Sequence, residues 1–180
     1  MKVAFLDRDG VINKEVSYLH KIKDFIYTEK CLKGLKVLRK LGYEIVIVTN
    51  QAGLAKGIFS EKEFDILSSW LLEDLKRNSI EVLDYLFCPH HPDGKVKKYT
   101  MECAHRKPNP GMLVFAQKKY KINMKSSILI GDKLSDVKAA KSAGVGNFYL
   151  VESGHALSPQ DSLYAPVFPN LFEVAKSLCQ

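Results

Sequence analysis

No apolar run in the chain approaches the roughly 20 residues that a membrane-spanning helix requires. The opening MKVAFLD enters a strand at once and has neither the apolar stretch nor the small-residue cleavage site of a secretory leader, so a cytoplasmic protein is expected. Internal repeats and low-complexity linkers are missing too, which argues against a solenoid or a string of modules. Cysteine is scarce: Cys31, Cys88, Cys103 and Cys179 are all there are among 180 residues. A chain of this length buries a core without disulfide staples, and in a cytosolic setting such cysteines are thiols or metal ligands. Neither an aromatic–basic RNA-binding motif nor a helix-turn-helix pattern is present.

What is there is the composition of an ordinary globular protein, 46% hydrophobic and 26% charged. The net charge of +7 suits either a nucleic acid or a small polyanion such as a phosphorylated sugar. The lysines are scattered, with only Lys95–Lys98 forming a local cluster, so most belong to a solvated surface. The expectation is a monomer acting on a small sugar phosphate, with no nucleic-acid and no membrane partner.

Short apolar runs alternate with helical spacing. Val3–Asp7, Glu44–Asn50, Val82–Cys88, Ser127–Asp132 and Phe148–Val151 read as strands covered on both faces. Leu32, Leu35, Leu38 and Leu41 recur at helical spacing before Gly42. Ser60 and Glu63 form a capping-box pattern ahead of Phe64, Leu67, Leu71 and Leu75. Further helices are expected from Pro110 to Tyr120, Ser135 to Ala143 and Leu171 to Leu178. Gln51–Phe59 reads as a glycine-bearing loop, and Pro89–Asn109 as a long aperiodic segment. Alternating β and α units imply an α/β fold, a doubly wound parallel sheet in one domain over residues 1–180.

Ligands of such a sheet lie outside the carboxyl ends of the strands. Three strands end in polar groups: Asp7-Arg8-Asp9, Thr49-Asn50 and Gly131-Asp132. Any one of these could be a turn former; three facing one crevice point to chemistry.

DRDG after the first strand, Thr49 after the second, the lysine of RKPNPG and GDKLSD after the fourth resemble the haloacid-dehalogenase-type phosphohydrolases, in order and over nearly the whole chain. That resemblance implies a Rossmann-like fold, with no room in this chain for a large cap. It makes Asp7 a nucleophile that forms an aspartyl phosphate and Asp9 the general acid and base. A carboxylate can attack phosphorus, and a second carboxyl two residues on can manage the leaving and attacking oxygens. The resemblance assigns Mg²⁺ to Asp7, the backbone carbonyl of Asp9 and Asp132. It gives Thr49 and Lys107 the phosphoryl oxygens. Asp136 either supports the metal at one remove or caps the following helix.

Cys88, His90, Cys103 and His105 form two C-x-H pairs twelve residues apart. Thiolates and imidazoles so paired suit tetrahedral Zn²⁺, and a long segment without regular structure would gain order from a metal. A structural zinc loop at about 88–107 is expected, with His91 left over.

CPHHPDG, RKPNPGM, DRDGVIN and VTNQAGLAKG together are similar to the D-glycero-D-manno-heptose-1,7-bisphosphate 7-phosphatase family and its sister, the histidinol-phosphate phosphatases. The longer Pro92–Glu102 insert sides with the heptose family, in which a cysteine usually stands where this chain has His105. The resemblance implies removal of the 7-phosphate to give a heptose 1-phosphate for ADP- or GDP-heptose biosynthesis. It implies substrate contacts at Glu15, Val16, Ser17, Tyr18, Asn50, Gln51, Ala52, Arg106 and Lys133. A histidinol-phosphate phosphatase and a zinc-ordered nucleic-acid-binding module remain as alternatives.

Overall fold

The computed structural model describes residues 1–179. Its framework is β1 (Val3–Leu6), α1 (Cys31–Lys40), β2 (Glu44–Asn50), α2 (Ala52–Lys56), α3 (Glu61–Arg77), β3 (Asp84–Cys88), α4 (Gly111–Tyr120), β4 (Ile128–Gly131), α5 (Leu134–Ala143), β5 (Asn147–Val151), β6 (Val167–Phe168) and α6 (Leu171–Ser177). The six strands form one sheet in the order β3-β2-β1-β4-β5-β6, and every pairing is parallel. The order reverses at β1 and β4, which opens the crevice of a doubly wound sheet there.

Alternate residues of each strand face opposite sides. Ala4, Leu6, Ile45 and Ile47 pack with α1, α3 and α6 through Leu35, Leu38, Leu71, Leu75 and Val174. Val3, Phe5, Val46 and Val48 pack on the other face with Met112, Leu113, Ala116, Ala139 and Ala140 of α4 and α5. Both faces are therefore apolar, as the uninterrupted strand sequences require. At Gly34 a Cβ would fall 3.0 Å from the backbone of Phe172, so the missing side chain lets α1 lie against α6.

The capping box forms as expected: Ser60 Oγ accepts from the Glu63 N–H, and Glu63 Oε2 accepts from the Ser60 N–H. Pro110 stands at the N-cap of α4 rather than inside it. Two elements depart from the sequence expectation. Ala52–Lys56 is helical, stopped by Gly57 at φ +68°, and Val167–Phe168 adds an edge strand to β5. Five and two residues are too few for a periodicity to show. Among the described residues no helix is long and apolar enough to cross a membrane.

Candidate active site

The carboxyl ends of β1, β2 and β4 converge on a cavity of about 510 Å³. At its floor, Lys107 Nζ lies 3.0 Å from Asp7 Oδ2 and 2.6 Å from Asp136 Oδ1. It also donates to the Val48 carbonyl at 2.8 Å. Burial works against the lysine's charge, but Asp136 and Asp7 outweigh it and hold the ammonium above its ordinary value. Burial pushes the Asp7 carboxyl up to about 8; Lys107 opposes this, while Asp136, Asp132 and Asp9 add to it. One lysine thus faces more negative charge than it can balance.

Asp9 has a different environment. Its carboxylate takes bonds from Arg8 Nε and Nη2 and from Asn13 Nδ2 and Gln51 Nε2. Burial opposes ionisation there too, yet Arg8 and the two amides prevail and keep Asp9 below the usual carboxylate range. Gln51 Nε2 also donates to Thr49 Oγ1 at 2.8 Å. The acid/base candidate and the phosphoryl-holding candidate are therefore wired through one amide.

Asp132 is fully buried. Its Oδ2 accepts from the His155 N–H at 3.2 Å and lies 2.6 Å from His155 Nδ1. Its Oδ1 is buried without any partner. Gly10 (φ +84°) and Gly154 press against it so closely that a Cβ on either would fall 2.4 or 2.2 Å from Oδ2. Carboxylate oxygens of Asp7, Asp132 and Asp136 all lie within 4.8 Å of one another. An orphaned buried carboxylate oxygen among hard oxygen donors and excess negative charge fits a divalent cation such as Mg²⁺. The Asp9 side chain is committed elsewhere, which leaves only its backbone carbonyl for such an ion. Asp136 serves in two ways, pairing with Lys107 and accepting the Lys133 N–H at the start of α5.

Of the residues expected to touch substrate, Glu15, Ser17, Tyr18, Asn50, Gln51, Ala52, Arg106 and Lys133 line the cavity. Val16 is not among them and is 40% exposed. Lys56, His91, Ser135 and His155 line it as well. His155 follows the carboxyl end of β5, so the strand-end rule applied to β5 would have flagged it. Lys56 carries no sequence signal, because a five-residue helix such as α2 is too short to show periodicity.

Beside the cavity, donors of Cys88, His90 and Cys103 lie within 4.8 Å of one another, with Cys88 Sγ 3.6 Å from His90 Nδ1. Burial pushes the Cys88 thiol up to about 11. His105 is not in this group. Its N–H donates to Cys103 Sγ, but its imidazole lies beside Phe115 on exposed surface. Two sulfurs and a nitrogen fit zinc chemically, with three of the four expected donors gathered.

A family model described as HAD-hydrolase-like matches residues 104–179. The chain is 54% identical to a D-glycero-alpha-D-manno-heptose-1,7-bisphosphate 7-phosphatase of Photorhabdus laumondii, over 98% of this chain and 96% of that one. It is 42% identical to the D-glycero-beta-D-manno-heptose-1,7-bisphosphate 7-phosphatase of the same organism, over 87% and 84%. Among solved structures, the D,D-heptose 1,7-bisphosphate phosphatase from B. bronchiseptica complexed with magnesium and phosphate superposes with a TM-score of 0.82. That match has 30% identity and covers 100% of this chain and 99% of that one.

Proposed function

Because the chain belongs to the heptose-1,7-bisphosphate 7-phosphatase family of HAD-like phosphatases, we propose that it hydrolyses the 7-phosphate of D-glycero-α-D-manno-heptose 1,7-bisphosphate. The observation that carries the activity is the Asp7–Lys107–Asp136 floor with the orphaned Asp132 oxygen beside it. The α anomer is favoured because, of two relatives from one organism, the chain shares 54% with the one named for α and 42% with the one named for β.

Bound through Asp7, Asp132 and the Asp9 carbonyl, Mg²⁺ would neutralise the acidic floor and the phosphate charge. An Asp7 oxygen attacks phosphorus and the bond to the sugar oxygen breaks, leaving an aspartyl phosphate. Asp9 gives its proton to the departing sugar oxygen. It then takes one from the water that attacks phosphorus and frees Asp7. Thr49 and Lys107 hold the phosphoryl oxygens while their charge redistributes. Asp9 is held by Arg8 and Gln51 in its ionised form, so it must first take up a proton, with those bonds yielding, before it can protonate the leaving group. Gln51 is also bonded to Thr49, which couples that release to arrival of a phosphoryl group. In this reading Cys88, His90 and Cys103, with His105 as the fourth donor, hold a structural Zn²⁺. The loop then fixes Arg106 and Lys107.

Phosphate release from both heptose bisphosphate anomers and from histidinol phosphate tests the proposal. The α anomer should give the highest kcat/KM. Preference for histidinol phosphate would overturn the substrate; preference for the β anomer would overturn only the anomer.

A further inference from the structure

We propose that His155 is a positioning residue for Asp132: it holds one oxygen of that carboxylate so that the other is presented to Mg²⁺. This rests on the reading above of Asp132 as a ligand of that ion.

The two oxygens of Asp132 have unlike surroundings. Oδ2 accepts twice from one residue, from the His155 backbone N–H at 3.2 Å and from its ring Nδ1 at 2.6 Å. Oδ1 is buried and accepts from nothing. The last torsion of an aspartate is soft, so a free carboxylate could turn either oxygen toward the ion, or neither. Two donors on Oδ2 remove that freedom, which is how hydrogen bonds from outside the ligand set orient a metal-binding carboxylate. A ring nitrogen this close to a carboxylate oxygen carries its proton and has no lone pair left for a metal. Glu15 Oε2 lies 3.9 Å from the same nitrogen. Donor atoms of Glu15, Asp132 and His155 come within 4.8 Å of one another, but with Nδ1 spent on Asp132 the trio is a hydrogen-bonded support and not a second cation site.

The chain that brings His155 to Asp132 is itself anchored. The Glu152 N–H donates to the Phe168 carbonyl at 3.0 Å, so the edge strand β6 pins the chain just past the end of β5. Ser153 Oγ donates to the Gly10 carbonyl at 2.7 Å, which joins the segment to the loop after β1 that carries Asp9. A Cβ on Gly10 would fall 2.7 Å from the Gly154 Cα, so the two backbones lie against each other. Ser153–His155 thereby ties the loop after β1 to Asp132. The His155 side chain is 42% exposed and lines the cavity, so its removal leaves no hole in the core.

Charge alone predicts the reverse of positioning. A donor beside a ligand competes with the ion for the ligand's negative charge, so a histidine that acted only as a counter-charge would weaken Mg²⁺ binding. Its removal would then tighten binding, whereas removal of a positioning residue loosens it. The direction of the change separates the two.

The test is calorimetric titration of Mg²⁺ alone into the protein stripped of that ion, with circular dichroism to confirm that each variant is folded. His155→Ala keeps the backbone bond to Asp132 and loses the ring's, so the dissociation constant should rise about tenfold, the lower end for outer-shell changes at metal sites. Turnover at saturating Mg²⁺ should fall by less than that factor. His155→Asn sets an amide N–H where Nδ1 stands and should recover most of the affinity. Asp132→Asn, the control for the ligand itself, should bind Mg²⁺ far more weakly than either. If Asp132→Asn loses Mg²⁺ while His155→Ala binds it as tightly as the parent, or more tightly, the positioning role is wrong and the metal site stands. A His155→Asn no better than His155→Ala overturns it equally. If the parent binds no Mg²⁺, or Asp132→Asn binds it as the parent does, the reading of Asp132 as a ligand falls and the role of His155 with it.

Discussion

Asn50 clasps the backbone of Lys107 with both ends of its amide: Nδ2 donates to the Lys107 carbonyl at 2.9 Å, and the Lys107 N–H donates to Oδ1 at 3.0 Å. The last residue of β2 thereby fixes a lysine 57 positions away at the floor of the cavity. Asn50 is partly exposed, so losing this clasp in Asn50→Ala should cost only about 1 kcal/mol of stability. A misplacement of about 1 Å at a reacting centre costs on the order of a hundredfold in rate. The expected outcome is a fall in kcat of tenfold or more with a nearly parental denaturation midpoint. Equal kcat in a folded variant would remove Asn50 from the positioning of Lys107.

The sheet and the gathering of acidic residues at the floor of the cavity are legible because each rests on a local signal. Uninterrupted apolar strands can only be buried on both faces, and polar residues at their ends mark the crevice. The clasp was not legible, since Asn50 was expected to touch substrate and nothing local says which backbone it will meet. The sequence allows Asp136 two roles, and the fold gives it both a pairing and a capping bond because the first turn of α5 points at the floor. Val16 fell outside the cavity because its neighbours Glu15 and Ser17 take the inward places. His105 and the other three loop donors are expected together from residue type and spacing, which fix chemistry and separation along the chain but not side-chain direction.

Opposite signs are expected for the two ends of the Asp7–Lys107 pair. Burial and neighbouring carboxylates raise the Asp7 carboxyl to about 8, so at neutral pH folding must take up a proton there, which works against the folded state. Asp7→Asn should abolish turnover while leaving the metal-free protein at least as stable as the parent. Lys107→Met removes the cation that balances Asp7 and Asp136, and breaking such a buried pair costs about 3–5 kcal/mol. Thermal melts in metal-free buffer, read beside phosphate release, check both. A clearly destabilised Asp7→Asn, or one that turns over, would contradict the assignment.

Gly154→Ala tests the packing around Asp132. The added Cβ would lie 2.2 Å from Oδ2 and 2.7 Å from the Asp132 Cβ, so the carboxylate must shift. If Asp132 is a Mg²⁺ ligand, the direct dissociation constant for Mg²⁺, measured by calorimetry, should rise at least about tenfold, as outer-shell changes at metal sites do. An unaltered constant would separate Asp132 from the metal.

The two metals should part company under chelation. Mg²⁺ would rest on oxygen donors that exchange freely, whereas zinc would rest on two thiolates that release it only as they take up protons. Brief EDTA treatment should therefore abolish activity that Mg²⁺ alone restores, with zinc still counted in the protein by elemental analysis. Cys103→Ser removes one of the three donors already gathered and should empty the zinc site. Arg106 is bonded to the His90 carbonyl within the same loop, so that variant should also lose turnover while the circular dichroism of the sheet persists. His105→Ala should keep its zinc but bind it more weakly, because its imidazole lies apart from the three converging donors. Zinc retained in Cys103→Ser, or full activity in a zinc-free protein, would show that the loop is ordered by its contacts with α2 and not by a metal.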